Sequence, residues 1–373
     1  MNTVIINANS TVLPTKDKNA GYISGVGRST KCLLSAMSEI CDPDIQIRTC
    51  LEGHRYYGIG ADLYNDKIIN SWNPFPYRYS YIYRRFFMQY DLYHHPDNFY
   101  SRHYEGEKYL LTIHDTIMHE EALRRNDVKK IYLAEKNVKN CIGIITCSEY
   151  SKQMITNCFP VRPEKIDVIP WGVDRKLFKI KNYIEIKSTL DYFQIDTSYF
   201  LAVSCRDKRK NMYNLLEAYR LYLQKGNVKL VLIWRDPPST ITEKYSKEID
   251  NRYIIFLNYV SDSELVDLYN GAICTLFPSR YEGFGFPIIE SYACGTPVMT
   301  CRNSSLNEVA GDYAYYVGED DIVQMAEIMH YACSQNKFAF QDKINSYISR
   351  FSWEQTGRQY IELYKRYIKQ TKK

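Results

Sequence analysis

Two glutamates, Glu282 and Glu290, bracket a glycine-rich turn in the stretch PSRYEGFGFPIIESYACGTPV, residues 278–298. A carboxylate accepts hydrogen bonds from hydroxyl groups, whereas the start of a helix presents backbone N–H groups to anions. Pro287 suits the first position of a helix, and Gly283 and Gly285 let the chain turn tightly and approach a ligand closely. The backbone N–H groups near Gly285 and Phe286 therefore predict an anion seat, with Glu282 in the preceding loop and Glu290 one turn inside the helix. A ligand carrying both phosphates and hydroxyls satisfies this mixture. A nucleotide-sugar diphosphate has a sugar at one end, a ribose at the other and the diphosphate between them. Taken alone, the pair is as well explained by two acids complementing a helix N-terminus.

A second cluster shifts the balance. In LAVSCRDKRKN, Arg206, Lys208, Arg209 and Lys210 stand between a strand pattern and a helix pattern. Arginine offers a forked contact to a diphosphate and lysine a point charge; the plainer reading is a solvated charged loop. In the first half of the chain, ISGVGRS at 23–29 is a glycine turn lacking the full dinucleotide fingerprint. LLTIHDTIM places His114 and Asp115 at the end of a strand, open to a structural role or a substrate contact.

These residues need strand ends to hold them. Strand patterns run at 3–7, 45–49, 108–113, 143–147 and 166–170, and again at 199–204, 228–234, 253–257 and 273–278. Helix patterns at 29–40, 212–226, 262–272 and from Pro287 lie among them. The alternation, broken between Trp171 and Tyr199, predicts two doubly wound α/β domains. Residues 352–370 predict an amphipathic terminal helix that docks on the body, with Ser352 as its cap. The stretch WNPFPYRYSYIYRRFFMQYDLYHH, 72–95, is dense in aromatics and has no acid before Asp91. Its preferred reading is a core-facing helix; the alternative is contact of its aromatics and Arg78, Arg84 and Arg85 with a membrane surface.

Composition narrows the function classes. A net charge of +5 on 373 residues argues against a nucleic-acid protein. The eleven scattered cysteines contain no C-x-x-C pair, which argues for reduced, mostly buried thiols over disulfides or a zinc site. No apolar run approaches the roughly 18 residues that span a bilayer. The 35 tyrosines read as a compositional bias, and Asp42-Pro43-Asp44 reads as a turn.

Together, SGVGRS, LTIHDT, ITCSEYSKQMI, KIDVIPWGVD, DKRKN, NYVSDSELVDLY, PSRYEGFGFPIIESYACGTPV, SSLNEVAGDYA and FSWEQT closely resemble the retaining glycosyltransferases of family 4. Within that family the pattern is most similar to mannosyltransferases of bacterial surface polysaccharides. The resemblance implies the α/β GT-B architecture, two Rossmann-like doubly wound domains facing across a cleft. Residues 1–172 would form the acceptor side and 173–352 the donor domain, with 353–373 a helix packing back on the first. It also implies roles. Gly25 would let the backbone approach the donor's β-phosphate, and His114 would hydrogen-bond the transferred sugar. Arg209 and Lys210 would neutralise the leaving diphosphate, and Lys210→Ala is expected to fold normally while losing turnover. Glu282 would hold sugar hydroxyls, the amides of Gly285 and Phe286 the phosphates, Glu290 the ribose and the backbone near Val260 the base. Ser204, Trp234, Asn258 and Asn307 depart from common family residues. The expected reaction needs neither metal nor cofactor. It moves a hexose from GDP-mannose, or from a UDP-sugar, to a glycan or lipid-linked acceptor at the inner face of the plasma membrane. A nucleotide-sugar epimerase, a glycogen-type phosphorylase and a non-catalytic sensor remain the competing readings.

Overall fold

Continuous apolar runs such as Val4-Ile5-Ile6 and Leu230-Val231-Leu232 are fully buried, as parallel strands covered on both faces must be. The computed structural model describes residues 1–11, 25–52, 68–96, 100–205, 207–249 and 252–372. Contacts divide the chain into one unit of Met1–Gly172 with Ser352–Lys373 and a second of Val173–Phe351.

The first unit is built on seven strands: β1 (Asn2–Asn7), β2 (Ile45–Glu52), β3 (Ile69–Asn73), β4 (Leu92–His95), β5 (Tyr109–Thr112), β6 (Gly143–Thr146) and β7 (Ile166–Val168). They pair in parallel in the order β3-β2-β1-β4-β5-β6-β7. The second unit holds β8 (Tyr199–Ala202), β9 (Lys229–Ile233), β10 (Ile254–Leu257), β11 (Cys274–Phe277), β12 (Val298–Cys301) and β13 (Tyr315–Val317). These are also parallel, in the order β10-β9-β8-β11-β12-β13. The strand order reverses between β8 and β11, so their carboxyl ends open the crevice where ligands bind in such sheets. Those ends carry residues 203–205, 207–210 and 278–285, within the segments that sequence reasoning had singled out.

Four strands escape the pattern analysis: β3, β4, β12 and β13. Two of them, β4 and β12, are buried along their whole length, but the histidines of LYHH and the threonine of VMTC break the apolar run that marks the other buried strands. The reading of 72–95 as one core-facing helix is corrected. The segment contains the end of β3, a 3-10 turn Tyr77–Tyr79, the eight-residue helix Ser80–Phe87 and β4. That helix buries only Ser80 and Arg84. Arg84 is wholly buried, ion-paired with Glu52 and, at 2.7 Å, with Glu107. No cysteine is in a disulfide, and seven of the eleven are buried, Cys41 and Cys333 being exposed. Asp42 does lie in a turn, its carboxylate accepting the Asp44 N–H at 3.0 Å.

The helix Trp353–Thr371 belongs to the first unit and lies against the helix Gly25–Glu39; a Cβ on Gly357 would come within 3.1 Å of Ile40. Buried polar contacts fix it there. Tyr364 Oη lies 2.7 Å from His94 Nδ1, and His94 Nε2 lies 2.8 Å from Thr112 Oγ1. Tyr367 donates to Asp167 at 2.8 Å, and Lys365 pairs with Asp42 at 2.7 Å.

Burial, with the nearby His114, pushes the His94 imidazole down to about 3, so it folds neutral. Below about pH 6.5 the unfolded chain takes up a proton that the folded chain refuses. The stability due to neutral His94 is therefore complete above that pH and declines as pH falls toward 3. The melting temperature is expected to drop between pH 7 and pH 4.5, with a smaller drop in His94→Gln. Equal slopes for the two proteins would contradict the neutral, buried imidazole. Tyr364→Phe is expected to lose about 1 kcal/mol in urea denaturation at pH 7.

Candidate active site

The loop after β11 is shaped by its glycine and its hydroxyl neighbours. Gly285 has φ 107°, a left-handed conformation that favours glycine, and a Cβ there would meet Leu306 Cδ2 tightly, at 3.1 Å. The helix that follows, Phe286–Ala293, starts one residue before the predicted Pro287, which sits in its first turn. Ser305 Oγ lies 2.9 Å from the carbonyl oxygens of both Glu282 and Phe284, and the Glu282 N–H donates to Ser304 Oγ at 3.1 Å. The Arg280 N–H donates to the Arg209 carbonyl at 2.8 Å, stitching this loop to the one after β8.

Both oxygens of Glu282 are engaged. Oε1 accepts from Lys210 Nζ at 2.5 Å and from Ser279 Oγ at 2.7 Å, and Oε2 pairs with Arg209 Nη1 at 2.7 Å. Arg209 also reaches the Tyr281 carbonyl at 2.8 Å and Asp207 at 3.1 Å. Lys210 and Glu282 are each only 7% exposed, and the ammonium lies 4.8 Å from the Phe277 ring centre. Burial works to raise the Glu282 carboxyl, but Lys210 and Arg209 outweigh it and hold the group below its ordinary range. Burial pushes the Lys210 ammonium down; Glu282 opposes that and the like charge of Arg209 adds to it. Asn211, left-handed at φ 63°, turns the chain after Lys210, and its side chain bonds the Glu319 carbonyl at 2.5 Å and Arg280 at 3.2 Å.

The predicted row of cations is thus not one surface. Lys210 is buried, Arg209 half-buried and Lys208 exposed, while Arg206 lies outside the described residues. Lys210 sits in a buried ion pair, so Lys210→Ala would leave Glu282 with Arg209 and Ser279 alone and is expected to cost stability as well as turnover.

Glu290 is buried and accepts from Tyr269 Oη at 3.0 Å, across from the helix Asp262–Gly271. Val260 follows β10 and precedes the capping box of that helix, formed by Ser261 and Glu264. Trp234, after β9, is buried, and its Nε1 has no hydrogen-bond partner among the described residues. Asn258 accepts the Asp236 N–H at 2.7 Å. Sequence reasoning missed Ser279, Ser304, Ser305, Tyr269 and Asn211. These are neutral groups whose importance lies in what they touch, and no charge or spacing announces them.

In the first unit, His114 follows β5. Its Nε2 lies 2.5 Å from the Pro96 carbonyl, and its ring centre is 4.7 Å from that of Trp171. Burial lowers its pKa to about 4, the Pro96 carbonyl pulling the other way. A neutral ring donating from Nε2 leaves Nδ1 as an acceptor, and that atom has no partner among the described residues. Gly25 opens the helix Gly25–Glu39, and among the described residues a Cβ added there would meet nothing within 4 Å.

The Glycosyltransferase Family 4 model matches residues 44–177, and the model for glycosyl transferases group 1 matches residues 193–351. The chain belongs to the family 4 glycosyltransferases. This glycosyltransferase is 28% identical over 295 residues to O-antigen chain mannosyltransferase B of Escherichia coli, covering 74% of each chain. It is 27% identical over 268 residues to the O-antigen chain mannosyltransferase RfbU of Salmonella typhimurium, covering 67% of this chain and 71% of that one. In fold it resembles Anabaena Alr3699/HepE, solved in complex with UDP and glucose. The TM-score is 0.73 at 15% identity, over 98% of this chain and 100% of that one. The glycosyltransferase is thus a hexosyltransferase with the two Rossmann-like domains of GT-B enzymes.

Lys210→Met and Glu282→Gln are each expected to destabilise the enzyme by about 3 kcal/mol in urea denaturation, the double variant by clearly less than the sum. Additive losses would show that the two charges do not support one another.

Proposed function

We propose that this glycosyltransferase moves a hexose from a nucleotide-sugar diphosphate to a glycan or lipid-linked acceptor in surface-polysaccharide assembly, retaining anomeric configuration and using no metal. The observation that carries the reading is the Glu282 carboxylate shared between Lys210 and Arg209 at the switch point of the donor-domain sheet. Asp207 also pairs with Arg209, so the cluster's formal charges balance at rest, and a diphosphate would be met as the two cations exchange carboxylate for phosphate oxygens.

As the anomeric C–O bond to phosphate breaks, positive charge grows on the sugar and negative charge on the departing diphosphate. Lys210 and Arg209 are fixed in place to meet the latter, and preorganised donors lower a barrier because they need no rearrangement at that moment. The acceptor oxygen bonds to the anomeric carbon on the same face, and its proton passes to the leaving phosphate oxygen. Glu282, relieved of part of its cation contacts, turns lone pairs to the sugar hydroxyls. The amides of Gly285 and Phe286 take phosphate oxygens, and Gly25 gives the backbone close approach to the β-phosphate. Glu290, oriented by Tyr269, accepts from the ribose, the backbone near Val260 meets the base, and His114 Nδ1 accepts from a hydroxyl of the transferred sugar. GDP-mannose is the favoured donor, in keeping with the O-antigen mannosyltransferases that the chain resembles; a UDP-sugar is the second choice, in keeping with the UDP and glucose of the Anabaena complex. The reaction is assigned to the cytoplasmic side of the membrane. Among the described residues no helix is long and apolar enough to cross a membrane.

Incubation with GDP-mannose, UDP-glucose and UDP-N-acetylglucosamine is expected to release nucleotide from one donor, GDP-mannose first, and to do so in chelator. Arg209→Ala should lower kcat at least about a hundredfold. Release abolished by chelator would remove the metal-free mechanism. An altered but uncleaved sugar would make the protein an epimerase, and intact donor with tight binding would make it a sensor.

A further inference from the structure

The helix Ser80–Phe87 is built inside out. A surface helix ordinarily buries its apolar stripe and shows its charges to water. Here the inward groups are Ser80 and Arg84, and Arg84 has no exposed surface. Its guanidinium pairs with Glu52, reaches Glu107 at 2.7 and 3.1 Å, donates to the Arg102 carbonyl at 2.8 Å and lies 4.3 Å from the Tyr93 ring centre. Glu107 is held near 2; burial works to raise it, and His103 and Arg84 prevail. The helix is therefore anchored by charge, and its aromatic side chains point the other way.

Phe86 is 69% exposed and Phe87 66% exposed. They are not loose. Phe87 stacks on Tyr83 at 5.1 Å and 28°, and Phe75 lies 5.5 Å from Tyr83 and 6.4 Å from Phe87. Two exposed arginines flank the cluster, Arg78 with its guanidinium 4.7 Å from the Tyr79 ring centre and Arg85 with its own 5.5 Å from that of Phe86. From residue 68 to residue 90 the sequence holds no acidic residue. Among the described residues the next exposed acid along the chain is Glu105, beside Tyr104, whose ring centre is 5.9 Å from the Arg85 guanidinium.

A rigid, protruding aromatic cluster rimmed by arginines matches the two layers of a lipid interface: rings at the acyl boundary and guanidinium groups among anionic headgroups. We propose that the surface of Tyr79, Arg85, Phe86 and Phe87, with Arg78, docks on an anionic phospholipid bilayer. The surface lies outside the donor-binding residues and stands independently of the donor assignment. It adds to the acceptor half of that reading by bringing a lipid-linked acceptor to the enzyme's first unit. Charge selects this occupant, since a stretch without acids from residue 68 to residue 90 that carries two exposed arginines favours an anionic partner, and exposed aromatics beside them suit the lipid interface.

Flotation of the full chain tests this, with vesicles of phosphatidylcholine alone and with vesicles containing about one-third phosphatidylglycerol. The protein is expected to float with the anionic vesicles, about tenfold less with the neutral ones, and to be released by added salt. Phe86→Ser with Phe87→Ser should cut recovery about tenfold. Arg78→Glu with Arg85→Glu, which keeps the aromatics, should erase the preference for anionic lipid. Failure of the wild-type chain to float with anionic vesicles overturns the proposal, as does undiminished flotation of the Phe86/Phe87 variant. Light scattering that shows a dimer dissolved by that variant also overturns it, by giving the surface to a second copy. Flotation needs no donor, so its failure is separate from a failure of nucleotide release.

Discussion

A carboxylate held between two cations, inside the protein, constrains everything around it. Such a cluster is costly to desolvate and endures only when every lone pair and N–H has a partner. Glu282 meets that demand through Lys210, Arg209 and Ser279. The arrangement fixes two loops from neighbouring strands, β8 and β11, against one another, and the Arg280-to-Arg209 backbone bond locks them. The left-handed Asn211 and the glycine at 285 are consequences: the first turns the chain just after the buried lysine, the second just after the shared carboxylate. The two loops are thus held together around one carboxylate and its two cations before any ligand arrives.

The first unit solves a different problem with the same chemistry. Its buried Arg84 joins Glu52 at the end of β2 to Glu107 ahead of β5, holding a short helix that has little apolar surface to bury. Its neutral histidines follow from burial: His94 links the terminal helix to Thr112 of β5, and His114 keeps one ring nitrogen as an acceptor. Charge and hydrogen bonding, rather than apolar packing alone, decide where these elements sit. The freed aromatic surface of Phe86 and Phe87 is the counterpart of that choice.

Much of the fold was legible because parallel strands leave apolar runs between amphipathic helices, and nine of the strands could be read that way. Leu92–His95 and Val298–Cys301 were not, since two histidines in the one and a threonine in the other break the apolar run. The stretch 72–95 misled because an aromatic stripe normally signals a core-facing helix, and here Arg84 takes the inward place. At the site, the glutamates, the lysine and the arginine stood out by charge and by their place after strand patterns. What the sequence could not reveal was their mutual saturation. That Glu282 rests on Lys210 depends on a contact between residues 72 apart, and Ser304 and Ser305 reach its loop from 22 and 23 residues further along the chain.

The central claim is that the cations now shared by Glu282 pass to the donor's diphosphate. A crystal structure of the enzyme with bound GDP-mannose tests it most directly. The account predicts phosphate oxygens about 3 Å from Lys210 Nζ and the Arg209 guanidinium, with Glu282 oxygens facing sugar hydroxyls and Glu290 on the ribose. A donor bound elsewhere, or one whose diphosphate leaves the Glu282 cluster closed and untouched, would contradict it.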